Sequence, residues 1–129
     1  MENKTARTIM RRPEVALHRL MTIDRVSEHL MKHRLPGAPV VNKAGELIGY
    51  ISEFDCLEQI MQSSYYHDNS SLAEDVMSTK LIMSRPDIAL IDLASTMNAS
   101  KVNVMPIVEA GKLVGVISRG DVMQALIKG

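Results

Sequence analysis

The chain contains no tryptophan, one phenylalanine, three tyrosines and a single cysteine among 129 residues, and fifteen acidic side chains cancel its fifteen basic ones. Each scarcity closes a possibility. With one cysteine, Cys56, an internal disulfide framework is excluded, which fits a reducing compartment and an expected cytoplasmic location. Without a basic excess, the electrostatic footprint of a nucleic-acid binder is missing, so no nucleic-acid partner is expected. No apolar run approaches the roughly 18 residues of a membrane span, and the start of the chain lacks the apolar core of a signal peptide. No membrane role is expected. Apolar residues still make up 46% of the chain, ten of them methionines. The core must therefore be aliphatic, with flexible methionine filling its irregular gaps.

What the sequence does have, it has twice. Gly49-Tyr50-Ile51-Ser52-Glu53-Phe54-Asp55 returns as Gly115-Val116-Ile117-Ser118-Arg119-Gly120-Asp121. Each copy follows a proline-led apolar run, Pro39-Val40-Val41 and Pro106-Ile107-Val108. Upstream, Met10 matches Met77, Val15 matches Ile82, Val26 matches Leu93 and Leu30 matches Met97 at a constant offset. The offset shortens by one residue only at the turns Asn42-Lys43-Ala44-Gly45 and Glu109-Ala110-Gly111. Turns tolerate length changes, so this is how a structural repeat should differ. Half a chain of this size is marginal alone, which favours two units sharing one core.

Periodicity orders each unit. Val15-Ala16-Leu17 and Leu81-Ile82-Met83 read as a first strand. Ile23, Val26, Leu30 and Met31 then form a helical stripe, repeated by Leu90, Leu93, Ala94 and Met97, with Thr22 and Asp87 as expected N-caps. Apolar runs around each glycine-bearing turn predict a β-hairpin, and helices from about Asp55 to Met61 and Asp121 to Ile127 close the units. The expected class is mixed α/β, two β-α-β-β-α units related by a pseudo-two-fold axis. The expected division is an N-terminal arm over 1–8, a first unit over 9–62, a linker over 63–72 and a second unit over 73–129. Within the linker, Tyr65-Tyr66-His67 reads as linker packing or as a lid.

Ser52-x-x-Asp55 and Ser118-x-x-Asp121 fall where a strand gives way to a helix. One reading is a capping box, serine accepting from the orphan amides and the acid reaching back. The other is a ligand edge. Amides at a helix N-terminus receive anions, and an Asp there can accept from the vicinal hydroxyls of a ribose. Residue chemistry alone leaves both open. His18, His29, His33 and His67 have no metal-ligand spacing, and no metal or required cofactor is expected. Cys56 has no histidine partner and reads as a small buried residue. No phosphate loop, dinucleotide glycine motif or nucleophile elbow is present, so no enzyme is expected.

The doubled Gly-x-Ile-Ser-x-x-Asp, the Pro-Val-Val and Pro-Ile-Val strands, and the Met10 and Met77 openings together resemble a tandem CBS domain pair, a Bateman module. The resemblance implies a stand-alone regulatory module taking AMP, ADP, ATP or S-adenosylmethionine in clefts between its units. It assigns ribose and phosphate to Ser52, Asp55, Ser118 and Asp121. It places the base against Val15, Ala16 and Ala38 in one copy and Ile82, Met83 and Met105 in the other. It also implies a homodimer and leaves room for a further protein partner. Arg119, matched by Glu53, is expected to favour phosphate in its own cleft. The alternative is a ligand-free dimerisation or interaction scaffold.

Overall fold

The structure, a computed structural model, describes residues 4–66 and 71–129, the side chains of 64–66 excepted. Residues 1–3, residues 67–70 and the Tyr65 and Tyr66 side chains therefore lie outside the described residues, as does His67. The elements are α1 (Ala6–Ile9), a 3₁₀ turn (Pro13–Val15), β1 (Leu17–His18), α2 (Ile23–His33), β2 (Gly37–Val41), β3 (Leu47–Ser52) and α3 (Glu53–Tyr66). The second half holds α4 (Ala73–Val76), α5 (Leu90–Ser100), β4 (Val104–Glu109), β5 (Lys112–Ser118) and α6 (Arg119–Lys128). The mixed α/β class and the doubled unit read from the sequence are both present.

Local chemistry accounts for the helix limits. Thr22 caps α2, its hydroxyl accepting from the Arg25 amide at 3.4 Å, and Ile23, Val26 and Leu30 turn inward. In the second half α5 starts at Leu90, so the cap position is Ala89 rather than Asp87, whose carboxylate pairs with Arg85 at 2.9 Å. Both closing helices start earlier than the apolar pattern suggests, directly after Ser52 and Ser118. Helix α3 also runs on to Tyr66, so the segment expected to be linker from residue 63 opens as helix.

The strands differ between halves. β1 pairs parallel with β2, and β2 antiparallel with β3. The matching stretch in the second half reduces to one parallel bridge, Ser84 to Ile107, beside the β4–β5 hairpin. Ser84 donates to Pro106 and accepts from Val108, both at 2.9 Å. The next rung would need an amide from residue 86, which is proline, and proline has none to give. In the other direction the rung at Ile82 would need an amide from residue 106, also proline, so the expected strand over Leu81 to Met83 is absent and Ile82 and Met83 are partly exposed.

The two units exchange their opening segments. Arg11 and Val116 trade both backbone hydrogen bonds (2.8 and 3.1 Å), and Ser78 and Tyr50 do the same (2.9 and 2.8 Å). Each opening thereby covers the free edge of the other unit's hairpin, which would otherwise present unpaired amides. Met77 then lies over Gly49, and Met10 over Gly115: a Cβ on Gly49 would sit 2.2 Å from the Met77 sulfur and 2.9 Å from its Cβ. Residues 4–8, within the expected N-terminal arm, are part of this exchange. Leu90 donates to the Lys4 carbonyl, Ala6 donates to Ile88, and Ala6 is fully buried in the second unit's core. Reciprocally, Ala73 donates to Met21 and packs into the first core with Val104, Leu113 and Val116. Among the described residues no helix is long and apolar enough to cross a membrane.

Candidate functional site

Both Ser-x-x-Asp elements form complete capping boxes. The Ser52 hydroxyl accepts from the Asp55 amide at 3.1 Å while Asp55 Oδ2 accepts from the Ser52 amide at 2.9 Å. Ser118 and Asp121 repeat the same two bonds at the same two distances. The cap sets the starting direction of each closing helix and holds a carboxylate at its first turn. A cap uses only part of a carboxylate's acceptor capacity, so the structural and ligand readings are compatible at one residue.

Around the first of these elements the fold makes a composite cavity of about 220 Å³. Its walls come from both units. Gly49, Tyr50 and Ser52 belong to β3, Ser78 to Ile82 to the second opening segment, and Lys101 to Val104 to the approach to β4. Ser52 and Ile82, assigned by the resemblance to different copies, thus share one cavity. Asp55 stands one turn into α3 beside it, and among the described residues it has no ion pair. Burial first, then the charges of Asp55 and Glu53, push the Tyr50 phenol upward, so it stays a neutral hydrogen-bonding group.

The other predicted residues are dispersed. Val15, Ala16 and Ala38 are buried in the first core and Met105 in the second, while Met83 is exposed. Ser118 is buried. Asp121 receives the Arg11 guanidinium, Nε to Oδ2 at 3.0 Å and Nη2 to Oδ1 at 3.1 Å. Burial alone would raise the Asp121 carboxyl, but hydrogen bonds from Arg11 and from Ser118 outweigh it and the net shift is downward. Arg119 does not face the cavity. It bonds Asn103 Oδ1 at 3.0 Å and lines the groove between α5 and α6.

Sequence reasoning missed Tyr50, Ser78, Lys80, Lys101 and Asn103 on the cavity wall. For Lys101 a signal existed in the repeat. Lys101 and Arg34 occupy matching left-handed positions (φ 55 and 54) that end α5 and α2. Non-glycine residues adopt this conformation rarely, so a basic side chain held there twice marks the edge of each hairpin. Cys56 is buried, and burial pushes its thiol upward more strongly than its Ser27 hydrogen bond lowers it. That thiol is poorly suited to nucleophilic chemistry. Among the described residues no three His, Cys, Asp or Glu side chains converge as metal ligands.

Two further hollows lie on the helical faces. One of about 460 Å³ runs between α5 and α6, lined by Met97, Val122, Met123 and Leu126. Its counterpart of about 270 Å³ runs between α2 and α3, lined by Leu30, Met31, Leu57 and Ile60. Both are larger than the composite cavity, but each draws its walls from a single unit. The composite cavity is walled by both units and adds the Ser52 and Ser78 hydroxyls to the Lys80, Lys101 and Asn103 side chains, the few convergent polar groups a ligand site requires.

Residues 6–62 and 73–128 each match the CBS domain family. An uncharacterized Methanocaldococcus jannaschii protein, MJ1426, is 29% identical over 150 aligned residues, covering 92% of this chain and 89% of its own. Among solved structures, Arabidopsis thaliana CBSX2 in complex with AMP superposes with a TM-score of 0.80 at 25% identity, over 96% of both chains. A Vibrio cholerae acetoin utilization protein superposes at 0.85 and 24% identity, over 97% of this chain and 91% of its own, a likeness of fold.

Proposed function

Because this chain belongs to the CBS domain family and carries two such domains, we propose that it is a regulatory module binding an adenosyl ligand in its composite cavity. The observation that carries the reading is the convergence on that cavity of Ser52 from one unit with Lys80, Ile82, Lys101 and Asn103 from the other. In this reading Asp55 accepts from the ribose hydroxyls, Ser52 bonds ribose or phosphate, and Ile82 lies against the base. Lys80 and Lys101 place two positive charges on the wall, against the one Asp55 carboxylate that the ribose hydroxyls engage. That balance favours AMP, ADP or ATP over the cationic sulfonium of S-adenosylmethionine. The complex of CBSX2 with AMP supports the same class.

A ligand held by both units biases their arrangement by its difference in affinity for the alternatives, and this is the proposed output. No catalytic step is assigned. The test is differential scanning fluorimetry of the full chain with AMP, ADP, ATP and S-adenosylmethionine. A true ligand at about 100 times its Kd stabilises the fold by roughly 2.7 kcal/mol. No shift with any of the four would leave the ligand-free scaffold as the better reading.

The helical faces extend the proposal to a homodimer. Phe54 and Ile127 are 83% and 82% exposed, and Met31, Leu57, Met61, Ile91 and Met123 accompany them. Contiguous apolar exposure of this kind marks an association surface. Sedimentation velocity is expected to give twice the chain mass, and Phe54→Glu combined with Ile127→Glu to return it to the monomer. A monomer at all concentrations for the unsubstituted chain would remove the dimer from the proposal.

A further inference from the structure

The repeat places Ser118 and Asp121 where Ser52 and Asp55 stand in the first unit, and one position makes the surroundings of the two elements chemically different. Ser78 and Arg11 are equivalent residues in the two openings, each trading two backbone hydrogen bonds with the opposite hairpin. Ser78 ends in a short hydroxyl on the wall of the composite cavity. Arg11 instead reaches across to Asp121, the carboxylate equivalent to Asp55. Its fork engages both oxygens, while Nη1 donates to the His33 carbonyl at the end of α2 at 2.7 Å. Asp121 Oδ2 already accepts from the Ser118 amide. The pair is half-buried, with side chains 31% and 22% exposed, and Val15, Leu35 and Val116 are buried residues of the same core. A bidentate charge-assisted pair in that setting is among the stronger polar contacts a protein makes.

We propose that Arg11 acts as an internal occupant of the second cleft, taking the carboxylate a ribose would need, so that the chain binds one adenosyl ligand rather than two. The inference rests on the adenosyl reading above and adds which cleft is used and why. A ligand entering the second cleft must first displace the guanidinium from both Asp121 and the His33 carbonyl. Its apparent affinity falls by the fraction of time the cleft is free.

Isothermal titration calorimetry of the full chain, with whichever of AMP, ADP, ATP or S-adenosylmethionine the fluorimetry panel finds tightest, counts the sites. The unsubstituted chain is expected to bind one equivalent. Arg11→Ser, which copies Ser78 into the second cleft, is expected to bind two. If Arg11→Ser does not melt cooperatively, Arg11→Gln keeps part of the stem and a donor for the His33 carbonyl, and the same count of two is expected. Two equivalents on the unsubstituted chain would overturn the inference while leaving the adenosyl reading intact. So would a count that stays at one in a folded Arg11 variant. Binding by none of the four ligands withdraws the adenosyl reading and this inference with it.

Discussion

Gly49→Ala is expected to cost the fold about 1–3 kcal/mol, and trimming Met77, not Met10, is expected to reduce that cost. The new methyl carbon would stand 2.2, 2.7 and 2.9 Å from the sulfur, Cγ and Cβ of Met77. A swing of the thioether could relieve the first contact. The others involve the stem, which is fixed because Ser78, the next residue, is bonded twice to Tyr50. Gly115→Ala should behave as the mirror image, with its methyl 2.5 to 2.9 Å from the same three atoms of Met10. Urea denaturation of the single and double variants measures the coupling. Glycine 49 should couple to residue 77 by at least about 1 kcal/mol and to residue 10 by close to zero. Equal coupling to both methionines would contradict the exchanged openings.

Asp55→Ala is expected to weaken nucleotide binding by about a hundredfold or more, the loss of two hydrogen bonds to an ionised acceptor at about 1.5 kcal/mol each. Asp121→Ala should leave affinity in the composite cavity nearly unchanged, since its carboxylate belongs to the other cleft and faces Arg11. Each alanine also removes the acid's bond to the serine amide, leaving the serine cap itself in place, and should lower stability by about 0.5–1.5 kcal/mol. Affinity must therefore be measured by calorimetry below the melting transition of each variant. Asp55→Asn offers a check with that bond retained, because its carbonyl oxygen still accepts from the Ser52 amide. Unaltered affinity in Asp55→Ala would remove the ribose role from that residue.

Much of this fold was legible because its signals are local. The glycine turns, the Thr22 cap and the inward stripe of Ile23, Val26 and Leu30 depend on neighbours a few positions away. So do the two Ser-x-x-Asp caps. The missed features join residues far apart. Periodicity says which face of a segment is apolar but not whose core it enters, so Ala6 reads as part of a polar arm although it is buried in the second unit. The pairing of Arg11 with Asp121 spans nearly the whole chain, and nothing in either residue's neighbourhood announces it. The resemblance places the clefts between the units but groups the base contacts by copy, whereas Ser52 and Ile82 line one cavity. The lost strand at Leu81 to Met83 is explained by Pro106 on the partner strand, which has no amide for the Ile82 carbonyl.

The exchanged openings bear on how many molecules the architecture needs. A half-length chain with one opening and one hairpin has no second hairpin to cover and no second opening to cover its own. Two such chains could satisfy each other only by meeting in solution, and their union would dissolve on dilution. Joined in one polypeptide, the same contacts form at an effective concentration on the millimolar scale, whatever the protein's abundance. Identical half-chains would also be confined to identical clefts. A single chain is free of that constraint, and it places serine at one opening and arginine at the other.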